Sequence, residues 1–406
     1  MSRLSLAILA ALVTGLAVGT LLSDSSSGPA IAAVAAPLGK FWLDALTMTV
    51  VPLVFSLLVT GIVSAADGAK GGSVAGRALG WFAVLLVAAC LISAALTTLA
   101  LSWWPISAEA AALRDTAGAP PEIGTTADWL SNIIPTNPLK AAADTAMVPL
   151  VIFAALFGFA VSRIEPELRG AIQLFFRGVV QAMLVIVQWV LWVAPVGVFA
   201  LALAVGARTG IGAAGALIHY VLLVIAACLV TAVLAYVLVA AGGRLSPLAF
   251  ARAAIPAQIV AVSTQSSLAS LPAMIEAAGP LGVGRAEAGV VLPLAVSVFR
   301  AASAAANVTV AVYLAHLHGV PLSLGTLAIG ALVAAAVSVA AVGLPAQVSF
   351  FAIIGPVCLA MGVPIVLLPL LLAIETIPDI FRTLGNVTAD LAVARLVGRD
   401  AAAAPG

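Results

Sequence analysis

Eight apolar segments, each about as long as a lipid bilayer is thick, set the strongest constraint on how this chain can fold. A membrane-spanning helix needs roughly 20 mostly apolar residues. The segments lie near residues 4–22, 41–65, 78–104, 146–162, 171–205, 213–241, 287–315 and 364–397. Only 8% of the 406 residues are charged and 64% are hydrophobic, whereas soluble proteins are about 25% charged. Since a free backbone cannot be hydrated in lipid, the sequence predicts an all-α polytopic membrane protein.

Two further apolar stretches are interrupted near their middle. Residues 246–281 contain STQSSLAS between Pro256 and Pro272, and residues 325–362 contain AVGLPAQVS. Each half is too short to cross a bilayer, so each stretch is predicted to be a re-entrant helical hairpin that enters the membrane and turns back. Two hairpins, each followed by a helix, indicate inverted repeats with a binding site where the hairpin tips meet.

The last apolar segment carries polar and charged side chains along one helical face. Relative to Asp379 the others lie at −4, +3, +4, +7 and +11, which is one stripe at 3.6 residues per turn. The stripe consists of Glu375, Asp379, Arg382, Thr383, Asn386 and Asp390. Charges facing lipid cost several kcal/mol each, so the stripe is predicted to face a protein interior or a wet cavity. It suits a small zwitterion or diacid; a structural Asp379–Arg382 ion pair is the alternative.

Charge and composition bound the other functional classes. The formal net charge of +1 gives no reason to expect nucleic-acid binding, and Cys90, Cys228 and Cys358 lack the spacing of a disulfide or metal framework. No H-E-x-x-H or GxSxG motif is present, so neither an enzyme nor a cofactor is expected. A passive channel is the competing class, but channels do not need two hairpins around an occluded site.

The first apolar run, MSRLSLAILAALVTGLAVGTLL, has about 18 apolar residues and is interpreted as a membrane helix, because it is longer than the core of a signal peptide. The placement of Lys and Arg in the loops predicts that both termini are cytoplasmic. The expected location is the cell membrane, and the inner membrane if the source is a Gram-negative bacterium.

Five motifs resemble those of the dicarboxylate/amino acid:cation symporter family, which includes the glutamate transporters. MTVVPLVFSLLVTGIVSA is similar to the family's second helix, IIPTNPLKAAA to its IPTNPF-type motif, and APVGVFALALAV to its APIGVFAL motif. SSLASLP resembles a degraded form of the serine-rich tip SSSGTLP. DIFRTLGNVTAD matches the last helix's D-x-x-R-T-x-x-N-V-x-x-D.

The resemblance implies eight transmembrane helices plus two re-entrant hairpins, built as inverted repeats, in an elevator-type transporter. A homotrimer is implied, in which a scaffold holds a mobile transport domain. The expected scaffold comprises residues 1–70 (helices one and two) and 105–205 (helices four and five). The expected transport domain comprises 76–104 (helix three), 213–243 (helix six), 246–281 (first hairpin), 284–317 (helix seven), 325–362 (second hairpin) and 364–398 (helix eight).

The resemblance also implies a substrate site. Asp379 would bind the α-amine of an acidic amino acid, and Arg382 would clamp its side-chain carboxylate, since a guanidinium is a planar bidentate donor. The other expected contacts are Ser266 and Ser267 at the first tip, Ser303 in helix seven, Gly343, Leu344 and Pro345 at the second tip, and Thr383 and Asn386 in helix eight. Aspartate or glutamate is the expected substrate, with a C4-dicarboxylate as the alternative.

The chain departs from the family where sodium is bound. The family's N-M-D-G-T motif is replaced by FRAAS at residues 299–303, and helix three has Leu86, Ala89 and Cys90 where the family has oxygen ligands. A hard cation needs oxygen ligands, so one sodium site is predicted to be lost. Residual sodium binding at Asn386 and Asp390 stays open.

We hypothesise that the Arg300 guanidinium occupies the place of a sodium ion and pairs with Asp390, because a buried anion needs a partner. In the alternatives, Arg300 faces a vestibule or clamps the substrate. A tethered cation cannot be released, so coupling to protons through Glu375, Asp379 or Asp390 is favoured over coupling to sodium. Exchange and uniport are the other possibilities.

Overall fold

The structure is a computed structural model that describes residues 3–23, 25, 28–69, 72–107, 134–209, 212–340 and 346–403. In this part of the chain the regular elements are all helices. They are α1 (Arg3–Leu22), α2 (Gly28–Thr47), α3 (Val50–Ala69), α4 (Ser73–Trp103), α5 (Pro138–Ala143), α6 (Met147–Val161), α7 (Pro166–Trp192), α8 (Ala194–Thr209), α9 (Gly212–Ala241), α10 (Pro247–Thr264), α11 (Ser267–Ala278), α12 (Arg285–Val298), α13 (Ala301–His318), α14 (Leu324–Ala340), α15 (Ala346–Ala360), α16 (Leu368–Ile374) and α17 (Thr376–Ala403).

Six helical stretches in the described residues are long and apolar enough to cross a membrane: Ala30–Ser64, Ser73–Trp103, Pro166–Trp192, Ala214–Ala241, Pro247–Thr264 and Arg285–His318. Shorter apolar helices accompany them, among them Leu6–Leu22 and Met147–Val161. The chain is therefore an integral, multi-pass, all-helical membrane protein. The division into eight spanning helices stays a prediction.

Four of the predicted segments are interrupted. The interruptions fall at Met48–Thr49, Val193, Phe299–Arg300 and Glu375. Three of them have a local contribution from proline. Proline has no backbone N–H, so the carbonyl four residues before it receives no helical hydrogen bond from that position. These carbonyl–proline pairs are Met48 with Pro52, Leu191 with Pro195, and Ile374 with Pro378. The predicted segment 171–205 is therefore divided between α7 and α8.

The first predicted hairpin is formed by α10 and α11. They are joined by Gln265, which adopts a left-handed conformation with φ of 53°, and by Ser266, whose hydroxyl oxygen accepts a hydrogen bond from the Ala269 amide at 3.2 Å. This cap starts α11 immediately after the turn. The two helices pack against each other and against α17.

Helices α14 and α15 pack against each other as the arms of the second predicted hairpin. The tip that was expected to contain Gly343, Leu344 and Pro345 lies outside the described residues. Both arms also contact α3 and α13.

Helix α17 lies at the centre of the second half of the chain. It packs against α9, α10, α12 and α13, and α13 packs in turn against α4. All residues of α13 except His316 are buried. The polar stripe of α17 is therefore enclosed by protein on several sides.

Helix α1 crosses α8 at very short range because both helices present glycine at the contact. A β-carbon at Gly19 would lie 2.5 Å from the Leu203 carbonyl oxygen, and one at Gly206 would lie 2.7 Å from the Leu16 carbonyl oxygen. Backbone atoms cannot move aside as a flexible side chain can, so this crossing requires glycine at both positions.

We expect Gly19→Val to lower the melting temperature of the purified protein, because overpacking at a close contact costs about 1–3 kcal/mol. Gly80→Val is the matched control, since a β-carbon at Gly80 has no neighbour within 4 Å. Fluorescence-monitored thermal unfolding in detergent measures the difference. Equal melting temperatures for the two variants would contradict the close crossing.

Candidate functional site

All six stripe residues of α16–α17 are buried despite their polarity. The exposed fraction is 3% for Glu375, 6% for Asp379 and Arg382, and 0% for Asp390. Thr383 and Asn386 are buried as well. The prediction that the stripe faces the protein interior is therefore confirmed.

Glu375 and Arg382 form the ion pair at the centre of the stripe. The Arg382 Nε lies 2.6 Å from the Glu375 Oε1. The Tyr220 hydroxyl on α9 donates a hydrogen bond to the other carboxylate oxygen, Oε2, at 3.1 Å. Arg382 lies seven positions after Glu375 in the sequence, which is two helical turns on one face. The partner of Arg382 is thus Glu375, and not Asp379 as in the structural ion-pair alternative.

The remaining nitrogens of Arg382 are used unequally. Nη1 donates to the Asn307 Oδ1 on α13 at 2.6 Å and lies 3.5 Å from the Ser303 carbonyl oxygen. Within the described chain, Nη2 is buried and has no hydrogen-bond partner. Because a buried donor without a partner costs free energy, an acceptor on a ligand that reached Nη2 would be stabilised there.

A small cavity adjoins this arrangement. Its volume is about 20 Å³, which is close to the space that one water molecule needs. The lining residues are Arg300, Ser303, Asn307, Phe350, Ile353, Glu375, Asp379 and Arg382. Five of these eight were predicted site residues from separate parts of the sequence, and the fold brings them together. Ser266 and Ser267 are not among the lining residues.

Asn386 and Ser303 hold the interruption between α12 and α13. The Asn386 Oδ1 accepts hydrogen bonds from the amides of Ala302 at 3.0 Å and Ser303 at 3.2 Å. Its Nδ2 donates to the Ser303 Oγ at 2.9 Å. These contacts satisfy the first free amides of α13. In this conformation Asn386 acts as a cap, and its role in substrate binding stays a prediction.

Thr383 is also engaged within the protein. Its hydroxyl donates to the Asp379 carbonyl oxygen of the same helix at 2.9 Å. The Asp379 carboxylate lines the cavity. An amine in an enlarged cavity would therefore meet this carboxylate beside Arg382.

Arg300 lies at the start of α13, and its charge acts on both Asp379 and Asp390. Asp390 is fully buried, and in the described residues neither of its carboxylate oxygens accepts a hydrogen bond. The two groups interact electrostatically, and the direct pairing of Arg300 with Asp390 stays a hypothesis.

Apolar packing surrounds the positions where the sodium ligands were predicted to be lost. The Phe299 ring stacks on the Phe82 ring of α4, with centroids 4.6 Å apart and planes inclined by 15°. Leu86, Ala89 and Cys90 on the same helix are buried. These side chains offer no oxygen ligand to a hard cation.

The sequence analysis missed the apolar lining residues Phe350 and Ile353 and two polar site residues. Asn307 lies one turn after Ser303 in an alanine-rich helix, so its spacing was an available signal. Tyr220 lies in α9, whose sequence is apolar on every side, and only the fold shows that its hydroxyl meets Glu375.

Comparison with known proteins shows the family to which the chain belongs. The "Proton/glutamate-aspartate symporter" of Escherichia coli (strain K12) is 28% identical, over 96% of this chain and 91% of that protein. The "C4-dicarboxylate transport protein" of Paracidovorax citrulli is 28% identical over 89% of this chain and 82% of that protein. The "Proton/sodium-glutamate symport protein" of Bacillus caldotenax is 26% identical over 93% and 89%. The family model described as "Sodium:dicarboxylate symporter family" matches residues 4–400, and the chain therefore belongs to this family of transporters.

Proposed function

We propose that the protein is a secondary active transporter of acidic amino acids. The observation that carries the proposal is the buried Arg382, whose Nη2 has no hydrogen-bond partner in the described residues and which lines a cavity together with Asp379. A substrate's side-chain carboxylate would bind Arg382, and its amine would bind Asp379. Guanidinium–carboxylate contacts are strong because both groups are charged.

A C4-dicarboxylate is the second candidate substrate, and the position of Arg300 favours it. Arg300 lines the same cavity as Arg382. Two guanidinium groups would accept two carboxylates without requiring an amine. The names of the relatives include both substrate classes.

Transport requires this cavity to open, because about 20 Å³ cannot hold a four-carbon diacid. Phe350 and Ile353 of α15 line the cavity, so displacement of the second hairpin would enlarge it.

We infer an elevator movement of the transport domain against a scaffold, in a homotrimer with both termini in the cytoplasm. The support is the family membership together with the packing of the first hairpin against α17 and of the second hairpin against α13.

We infer that Arg300 replaces a bound sodium ion. Its charge reaches Asp390, which lies fully buried with no described hydrogen-bond donor, and the Phe82–Phe299 stack takes up space near the expected ligands. A cation fixed to the chain supports the buried anion without being transported. The driving ion would then be a proton, and exchange is the alternative.

Uptake into proteoliposomes tests the proposed substrate and the proposed replacement of sodium by Arg300. We expect saturable uptake of labelled aspartate that is unchanged when external sodium is replaced by potassium or choline. Competition by unlabelled glutamate, succinate and alanine ranks the substrate classes, and alanine should compete least because it lacks a second carboxylate. Strong sodium dependence would refute the tethered cation while leaving the substrate assignment intact. Ohmic, non-saturating flux would instead indicate a channel.

A further inference from the structure

Glu375 occupies one of the two guanidinium edges that a substrate carboxylate could bind. We propose that Glu375 is a built-in competitor for Arg382: the substrate's second carboxylate displaces it, and the released Glu375 binds the transported proton. This inference rests on the proposed function and assigns its coupling site to one residue.

The hydrogen-bonding groups of Arg382 explain why displacement is required. A bidentate carboxylate contacts two adjacent nitrogens, either Nε with Nη2 or Nη1 with Nη2. Glu375 lies 2.6 Å from Nε, and Asn307 accepts from Nη1 at 2.6 Å. Among the described residues Nη2 has no partner, and Nε has the Glu375 carboxylate as its ion-pair partner without a hydrogen bond. A substrate therefore cannot contact two adjacent nitrogens unless Glu375 or Asn307 leaves.

Displacement of Glu375 moves a charge, whereas displacement of Asn307 does not. The Glu375 side chain is 4% exposed, so its carboxylate would become a buried anion without a cation, which is costly. Uptake of a proton removes that cost, because the neutral acid needs only a hydrogen bond. The Tyr220 hydroxyl, which lies 3.1 Å from the Glu375 Oε2, would provide that hydrogen bond. Total charge around Arg382 is then the same before and after substrate binding.

Of the two carboxyl groups beside Arg382, Glu375 is the one that would lose its cationic partner when substrate binds. The titratable side chains facing it are Tyr220 and Cys228 from α9, Asp379 and Arg382 from α17, and Arg300 from the segment before α13. Helix α15 faces the cavity with the apolar Phe350 and Ile353, and its one titratable side chain is the Cys358 thiol. Helices α1 and α8, which pack against α16, contain no Asp, Glu or His. After substrate binding, Asp379 would still have the Arg300 guanidinium nearby and would also contact the substrate's amine. Glu375 would have no cationic group in place of Arg382, so a proton would neutralise it.

Proton uptake on binding can be measured directly with the purified, full-length protein. Calorimetric titration with L-aspartate and with succinate, in buffers that differ in ionisation enthalpy, gives the number of protons taken up per substrate. We expect about one for the wild type, and a Kd that rises by up to about tenfold per pH unit over the range in which free Glu375 is ionised. Glu375→Gln should bind without proton uptake and with a Kd independent of pH. At alkaline pH it should bind more tightly than the wild type, because the competitor is gone.

Two further variants make the test decisive. Glu276→Gln removes an exposed carboxylate on α11 and should behave as the wild type. Glu375→Asp retains a carboxyl and should retain proton uptake, which separates loss of the proton site from damage to the fold. Undiminished proton uptake by Glu375→Gln would overturn the proposal, and so would substrate binding to the wild type without proton uptake. Failure of the wild type to bind either compound at any pH would instead contradict the proposed function itself.

Discussion

Arg382→Lys is expected to abolish measurable binding of aspartate and succinate. Lysine keeps the positive charge, but a single ammonium group cannot replace the planar guanidinium that reaches Glu375 and Asn307 at the same time. Each lost hydrogen bond to a charged group is worth about 1.5–3 kcal/mol. Losing one such bond weakens binding by roughly tenfold to a hundredfold, and losing both weakens it much further.

Lysine is the informative replacement because it separates binding from folding. Removing the charge altogether would leave Glu375 as an unpaired buried anion, at a cost of about 3–5 kcal/mol, and loss of binding would then be ambiguous. The same substitution at Arg395 is the control. Arg395 lies on α17, where its Nε donates to the Gly243 carbonyl oxygen at 3.1 Å, far along the helix from the cavity.

Binding of labelled aspartate to detergent-purified protein, together with uptake into proteoliposomes, measures the effect. Arg395→Lys should have the Kd of the wild type. If Arg382→Lys bound aspartate within a few-fold of the wild type, the carboxylate clamp would have to lie elsewhere.

The polar stripe was predictable because charged side chains in an otherwise apolar helix can avoid lipid in only one way. Their spacing alone placed Glu375, Asp379 and Arg382 on one face, and all three are buried. Their pairing was not predictable, since Asp379 is nearer to Arg382 in sequence than Glu375 is. Tyr220 on α9 contributes to that pairing, because its hydroxyl holds the Glu375 carboxylate from outside the stripe.

The interruption at Phe299–Arg300 shows the limit of sequence reasoning more clearly. A proline follows each of the other three interruptions within a few residues and can be recognised locally. This one depends on Asn386, which is more than eighty residues away and whose side chain caps Ala302 and Ser303. A contact of that range is specified by tertiary packing, so the sequence could indicate the unusual composition of the segment but not its geometry.

The direct test of the tethered cation is Arg300→Ala, which is expected to make transport depend on an added cation. Without the guanidinium, the fully buried Asp390 loses the charge that acts on it, at a cost of about 3–5 kcal/mol. We expect uptake to fall to background in choline and to recover when sodium or guanidinium ions are supplied. Arg252→Ala, which removes an exposed arginine of α10, should transport as the wild type does.

The double variant Arg300→Ala/Asp390→Asn decides whether Asp390 is the group that needs the cation. If the two charges interact, removing both costs less than the sum of the single changes, because no buried anion is left behind. The double variant should therefore melt at a higher temperature than Arg300→Ala alone and should show no response to added sodium or guanidinium. Additive losses in melting temperature would mean that Arg300 serves Asp379 or the substrate. Cation rescue that persists in the double variant would point to the same conclusion, because the rescuing ion would then be bound without the Asp390 carboxylate.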